Sequence, residues 1–180
     1  MDPLVSIIVV TYNSAKYVID TLESAKIQSY KNIELIITDD CSTDGTLTLC
    51  RDWIKNNYQR FIRTKLITTT INTGIPANLN RGLKASQGIW IKFIAGDDML
   101  AEECITELIQ FIKIQTDDIR VLSSNYVIFS GKSYESGIIR KNWNTYFCSR
   151  ESSAHDQYQM LLRVNRVFAS TVIIWGDLLK

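Results

Sequence analysis

The sequence predicts an α/β fold: a doubly wound, mostly parallel sheet with helices on both faces. Three observations lead there. Between residues 4 and 94, apolar β-branched runs and segments of helical periodicity follow one another as strand, helix, strand, helix, strand, helix, strand. Such alternation implies right-handed crossovers and a parallel sheet. The strand runs are nearly continuous in apolar residues, which suits strands covered on both faces. With 180 residues, 46% of them apolar, and 20 Lys+Arg against 19 Asp+Glu, the chain has enough material for one core. That balance excludes intrinsic disorder.

Leu4 to Thr11 is the first strand, followed by Asn13-Ser14 as a helix N-cap and by Val18, Leu22 and Ala25 at helical spacing up to about Gln28. Ile33 to Thr38 is the second strand, and the next helix carries Leu47, Cys50 and Trp53/Ile54 on one face. Thr64 to Thr70 reads as the third strand, and Pro76 opens a helix running to about Ser86, where the first turn tolerates proline. Gly88 is read as the end of that helix, and Ile89 to Ile94 as the fourth strand. A helix striped by Ile105, Leu108, Ile109 and Ile112 follows, with Glu102, Glu103 and Glu107 favourably placed at its N-terminal end.

Past Ile119 to Phe129 the pattern weakens. Ser130 to Gly137 reads as a turn or hairpin, Asn142 to Ser153 as a polar loop, Asp156 to Arg163 as a short helix and Ser170 to Trp175 as a last strand. Without repeats or a linker, residues 1–180 are expected to form one domain, its first hundred residues forming one half and 101–180 the other.

Charge is even along the chain, with ten basic and eight acidic residues in 1–90 and ten and eleven in 91–180, so nucleic acid is not expected as the main partner. The longest apolar runs fall far short of the ~20 residues that span a bilayer, and no transmembrane segment is expected. Met1-Asp2-Pro3 lacks the start of a secretory signal. Cysteines at 41, 50, 104 and 148 show no C-x-x-C and no histidine at ligand spacing, which fits reduced thiols in a cytoplasmic protein.

Open α/β sheets bind ligands beyond the carboxyl ends of their strands. The first strand ends in Thr11-Tyr12-Asn13, the second in Asp39-Asp40, the third near Asn72-Thr73-Gly74 and the fourth in Gly96-Asp97-Asp98. Either acid pair alone reads well as a turn. Acids on two exits of one sheet point instead to a ligand, since neighbouring carboxylates repel and need a cation or strong donors. Asp97 and Asp98 suit Mg²⁺ or Mn²⁺, hard ions that take a few carboxylates and complete their shell with phosphate oxygens and water.

Val5 to Asn13, Thr38-Asp39-Asp40-Cys41-Ser42-Thr43-Asp44-Gly45-Thr46, Asn72-Thr73-Gly74, Asn80-Arg81-Gly82 and Gly88 to Asp98 stand in one order over about a hundred residues. This ordered set resembles the family 2 glycosyltransferases of the Rossmann-like GT-A fold. The resemblance implies transfer of a sugar from a nucleotide-diphosphate sugar to an acceptor hydroxyl, metal-assisted and inverting, in bacterial cell-surface glycan synthesis at the inner face of a membrane. It makes Asp40 the acceptor of a base N–H, favouring uracil and so a UDP-sugar, and makes Tyr12 a packing surface for the base, with Thr11 and Asn13 in the same loop. Gly96 and Asp97 belong to the metal motif, Asp97 holding the ion and Asp98 assisting through water or capping the next helix. For Asn72 and Asn80, a structural role and a substrate contact both stay open. The expected partners are the nucleotide-sugar donor and a glycan or lipid-linked acceptor.

Two departures stand out. Ala95 occupies the place of the first acid of the usual D-x-D. The family's general base falls in an acidic motif expected beyond Lys180, so truncation is expected; Glu151 and Asp156 do not match that motif. The alternative is a non-catalytic nucleotide-sugar-binding module or inactive fragment. A phosphoacceptor receiver domain, which also gathers acids at strand ends, would need a lysine at a late strand exit, and Lys180 is not preceded by a suitable one. Tyr126, Phe129, Tyr134, Trp143, Tyr146 and Phe147 are candidates for an acceptor groove, with ordinary packing as the simpler account.

Overall fold

The computed structural model describes residues 2–115, 119–128, 138–140 and 169–179. Contacts divide the chain into two compact units, Met1–Leu122 with Ile173–Lys180, and Ser123–Val172. In chain order the elements are β1 (Val5–Thr11), α1 (Val18–Lys26), β2 (Ile33–Asp39), α2 (Thr46–Asn57), β3 (Arg63–Thr68), α3 (Ile75–Ala85), β4 (Trp90–Ala95), α4 (Cys104–Ile114), β5 (Val121–Ser123), β6 (Tyr126–Ile128), β7 (Ile138–Arg140) and β8 (Val172–Trp175). Six strands form one sheet in the order β3-β2-β1-β4-β8-β5. The pairs among β1 to β4 are parallel and β8 runs antiparallel to β4, giving the mostly parallel α/β sheet expected. In the second unit, β6 and β7 pair antiparallel.

Strand alternation divides the core. Val5, Ile7 and Val9 of β1 join Leu35 and Ile37 of β2 in a large cluster with Val18, Leu22, Cys50, Trp53, Ile105 and Ile109 from α1, α2 and α4. Ile8 and Ile36 face the other way and meet Leu83 of α3 in a smaller cluster. Helices therefore lie on both faces and, among the described residues, α3 is the helix on its side of β1 and β2. Its approach is close: a Cβ on Gly82 would stand 2.4 Å from Ile8 Cγ2, so only glycine fits there.

Several boundaries differ from the sequence reading. Asn13-Ser14 does not cap α1, whose first residue is Val18. Asn13 adopts φ +50°, and its side-chain oxygen accepts the Thr43 amide at 2.8 Å, so the side chain is committed across the site. The Ser14 carbonyl instead accepts the amides of Tyr17 and Val18, forming a turn ahead of the helix. Nor does Gly88 end α3, which stops at Ala85 with Ser86 extended. Gly88 is required by contact: a Cβ there would lie 2.3 Å from Ser6 Oγ and 2.5 Å from the Ser6 amide nitrogen. The last strand starts at Val172 because residues 169–171 form a 3-10 turn. The turn at 130–137, the loop at 142–153, the helix at 156–163, Glu151, Asp156, Phe129, Tyr134, Trp143, Tyr146 and Phe147 lie outside the described residues. Tyr126 is half-buried on β6.

Candidate active site

Register brings the strand ends level. Thr11 stands opposite Asp39, Val10 opposite Ala95, and Asp39 opposite Thr68, so β1, β2, β3 and β4 finish along one edge. Gly96 donates its amide to the Val10 carbonyl at 2.9 Å, pinning the β4 exit to β1. A Cβ on Gly96 would come within 2.9 Å of both Ser14 Oγ and Thr11 Cγ2. The β4 exit thus abuts the Thr11 to Ser14 loop, and the exposed Asp97 follows directly from that contact.

The two acids of β2's exit are both buried and have different partners. Asp39 accepts from Thr11 Oγ1 at 2.9 Å, from the Ser42 amide at 2.9 Å and from the Ser42 hydroxyl, and more distantly from Thr68 Oγ1 at 3.4 Å. These contacts tie the ends of β1, β2 and β3 together. Asp40 accepts from the Thr73 amide at 2.9 Å, the Gly74 amide at 2.7 Å, the Thr73 hydroxyl at 2.8 Å and Arg81 Nη2. Burial alone pushes the Asp40 carboxyl up; the Thr73 hydroxyl, the Arg81 guanidinium and the Thr73 and Gly74 amides more than offset this and hold it below the usual carboxylate range.

Asp44 ties the loops after β1 and β2 to one another. It accepts from the Thr46 amide and hydroxyl and from the Ala15 amide at 3.1 Å, while Thr46 Oγ1 accepts the Ser14 amide at 2.8 Å. Here too burial raises the carboxyl, and the Thr46 and Ala15 donors bring it below its ordinary value. Tyr12 projects from this braced loop, 48% exposed. Asn13 is braced twice, its own amide donating to Ser42 Oγ at 2.9 Å.

The structure therefore gathers Thr11, Tyr12, Asn13, Asp40, Gly96, Asp97 and Asp98 around one sheet edge. Asn72 joins them at the start of the next loop, its Oδ1 accepting the Gly74 amide at 3.0 Å. Asn80 is exposed on α3. The sequence reading passed over its neighbour Asn78, which is 1% exposed and braces the site from below. Asn78 Nδ2 donates to the Thr11 carbonyl at 3.1 Å, and Oδ1 accepts from Thr38 Oγ1 and from Arg81 Nη2 at 3.1 Å. Its signal was present: residue 78 stands four before Gly82 on the buried stripe of α3, where a polar residue needs a partner. Lys92 was also missed. It is fully buried in β4, burial pushes its ammonium pKa down, and the nearby Cys104 and Asp98 oppose that shift.

Among the described residues no three His, Cys, Asp or Glu side chains converge as a metal cluster. Asp97 and Asp98 supply hard oxygen donors at an exposed strand exit, which suits an ion that borrows most of its shell from phosphate and water. Ala95, the last residue of β4, contributes no donor of that kind.

The model of glycosyl transferase family 2 matches residues 6–168. The chain belongs to this family. One family 2 relative is the Escherichia coli UDP-Glc:alpha-D-GlcNAc-diphosphoundecaprenol beta-1,3-glucosyltransferase WfaP, 37% identical over 125 residues, 69% of this chain and 47% of that protein. The crystal structure of Staphylococcus aureus TarS 1-349 in complex with UDP-GlcNAc aligns at TM-score 0.55 and 31% identity, covering 61% of this chain and 31% of TarS. The mannosyltransferase PcManGT of Pyrobaculum calidifontis, described in complex with GDP-Man and Mn2+, aligns at TM-score 0.69 over 99% of this chain and 46% of its own, and at 20% identity it speaks for the GT-A fold alone. The chain spans about half or less of the length of the curated relatives it matches. Family 2 relatives of this chain take part in bacterial glycan synthesis.

Proposed function

We propose that this family 2 chain binds a UDP-sugar and serves transfer of the sugar to a glycan or lipid-linked hydroxyl, with inversion, in the assembly of a bacterial cell-surface polymer. The observation that carries this is the single edge on which the exits of β1, β2 and β4 meet, with Gly96, the residue before Asp97, packed against the loop that presents Tyr12. A UDP-GlcNAc complex of TarS and the UDP-glucose and diphosphoundecaprenol in the name of the E. coli relative support donor and acceptor classes.

In this reading Tyr12 packs against the base, Asp40 takes its N–H, and Thr11, Asn13, Asn72 and Asn80 border the nucleotide. Asp97, with Asp98 behind it, would hold a divalent ion, Mn²⁺ or Mg²⁺, which neutralises charge on the leaving diphosphate when bound. The acceptor oxygen attacks the anomeric carbon from the face opposite the diphosphate. The carbon–oxygen bond to the diphosphate breaks, its electron pair leaving with the nucleoside diphosphate, and the hydroxyl proton passes to a general base. No described residue is assigned that last role. Such a protein works at the cytoplasmic face of the membrane, and among the described residues no helix is long and apolar enough to cross it.

Calorimetric titration with UDP, UDP-sugars and GDP, with and without Mn²⁺, tests the reading. Uridine nucleotides are expected to bind, more tightly with metal. Asp97→Ala is expected to remove the metal-dependent part, and Asp40→Ala to weaken binding even without metal. Absence of uridine nucleotide binding in both conditions overturns the donor assignment; unchanged affinity in both variants overturns the residue roles.

A further inference from the structure

Asp40 presents a difficulty for any ligand that needs it. A carboxylate has about four lone-pair positions. Here all four are filled: Oδ1 by the Thr73 hydroxyl and Arg81 Nη2, Oδ2 by the Thr73 and Gly74 amides. The residue is only 2% exposed. A base N–H reaches it only by displacing a donor.

We infer that Arg81 is a positioning residue that competes with the nucleotide base for Asp40, so that donor entry opens the Asp40–Arg81 contact. The inference rests on the reading of Asp40 as base acceptor and adds to it a specific competitor. Of the donors, the guanidinium is the one on a long side chain. It is also the least well satisfied: Arg81 Nη1 donates to Thr73 Oγ1 at 2.7 Å and Nη2 to Asn78 Oδ1 at 3.1 Å, whereas Nε is buried without a hydrogen-bond partner. A buried donor left unpaired is unfavourable, and this offsets part of what the guanidinium's hydrogen bonds contribute to the closed arrangement.

The surroundings allow it to open. Arg81 lines an open cleft of about 290 Å³ together with Lys65, Ile67, Lys84 and Ala85, and its side chain keeps 24% of its surface exposed, so solvent already reaches it. The segment that covers Asp40 is thin: Asn72 and Thr73 are exposed, and Gly74 sits at φ +85°, ψ 164°, a conformation that glycine alone adopts without strain. Thr73 links the two parts, since its hydroxyl both donates to Asp40 and accepts from Arg81. Loss of Arg81 therefore loosens the cover as well as removing the competing charge.

When the binding-competent state is a fraction f of the population, apparent affinity falls by that fraction. A single charge-assisted contact of this kind keeps f on the order of a tenth, so its removal tightens binding on the order of tenfold. The test is a double-mutant cycle on the 180-residue chain with UDP as the probe, read by calorimetry, with thermal melting as the check on folding. Arg81→Gln is expected to tighten UDP binding on the order of tenfold where Asp40 is intact and to change nothing in an Asp40→Asn background, because the competition is then gone. Arg81→Lys keeps the charge without the planar fork that bridges Asp40 and Thr73, and is expected to fall between. Thr73→Val, which removes the hydroxyl link, is expected to tighten binding by a smaller factor and serves if Arg81→Gln fails to fold.

A merely structural Arg81 predicts weaker UDP binding in both backgrounds. If neither Arg81→Gln nor Thr73→Val binds more tightly while Asp40→Asn weakens binding, the competition is wrong and the donor reading stands. If the unaltered chain binds no UDP, or Asp40→Asn binds it equally well, the base-acceptor reading falls and the competition with it.

Discussion

Asn78→Ala isolates a support that lies beneath the site without facing its ligand. Truncation removes the Nδ2 bond to the Thr11 carbonyl at 3.1 Å and the Oδ1 bonds from Thr38 and from Arg81 at 3.1 Å. The loss is partly cushioned. Thr11's carbonyl still accepts the Asp40 amide at 3.0 Å, the Thr38 hydroxyl keeps a 3.3 Å contact with the main-chain oxygen of residue 78, and Arg81 keeps Asp40. Three bonds at about 1 kcal/mol each, offset by roughly half a kcal/mol because alanine is the better helix former, leave a net loss of ~2.5 kcal/mol. For a chain of this size that lowers the melting temperature by about 5–10 °C. Urea denaturation and calorimetry measure it, with Asn80→Ala as the control: exposed on the same helix, it should stay within about 0.5 kcal/mol of the parent. Equal stabilities for the two variants would refute the claim that Asn78 fastens α3 to the ends of β1 and β2.

Other expectations follow from the same contacts. Gly88→Ala sets a Cβ 2.5 Å from main-chain nitrogen at Ser6, whereas Gly45→Ala meets nothing closer than 3.9 Å; denaturant midpoints should show a loss above ~3 kcal/mol for the first and less than ~1 for the second. Gly96→Ala presses on side chains that can yield, so ~1–2 kcal/mol is expected, together with UDP affinity several-fold weaker by calorimetry because Asp97 shifts from the Thr11 to Ser14 loop. Asp40 and Asp44 titrate below their usual range in the folded chain. The unfolded chain therefore takes up these protons first, and the stability they contribute is complete above the unfolded value near 4 and lost as pH falls through the lower folded values. Urea midpoints should be level in this respect from pH 5 to 7 and drop below about pH 4, less steeply in Asp44→Asn; a midpoint rising on acidification would contradict the assignment.

The alternation of β1 to β4 with α1 to α3 was legible because its signals are local: unbroken apolar strands and helical stripes. Helix starts were not, since Asn13 has the composition of a cap yet spends its side chain on Thr43, a residue thirty positions away. That Asp40 and Asp97 stand at strand exits was legible without any contact map. Asn78 and Arg81 escaped because their importance comes from α3 crossing β1 and β2, and a sequence shows only the misplaced polarity at residue 78. Lys92 left a similar trace, a cation inside the run Trp90 to Ile94.

The two acids of β2 also show why a motif does not by itself divide its labour. Asp39 is the last residue of β2 and Asp40 the first beyond it, and the two carboxylates share no donor. Asp39 takes its donors from Thr11 and Thr68, the last residues of the flanking strands, and from Ser42 in the turn that follows. Freeing it would undo the sheet edge. Asp40 takes its donors from Thr73 and Gly74 in the loop before α3 and from one arginine. It can be uncovered while β1, β2 and β3 stay paired. Of two equally buried carboxylates, the one whose partners can leave is the one fitted to exchange them for a ligand, and that distinction lies in where the donors are anchored.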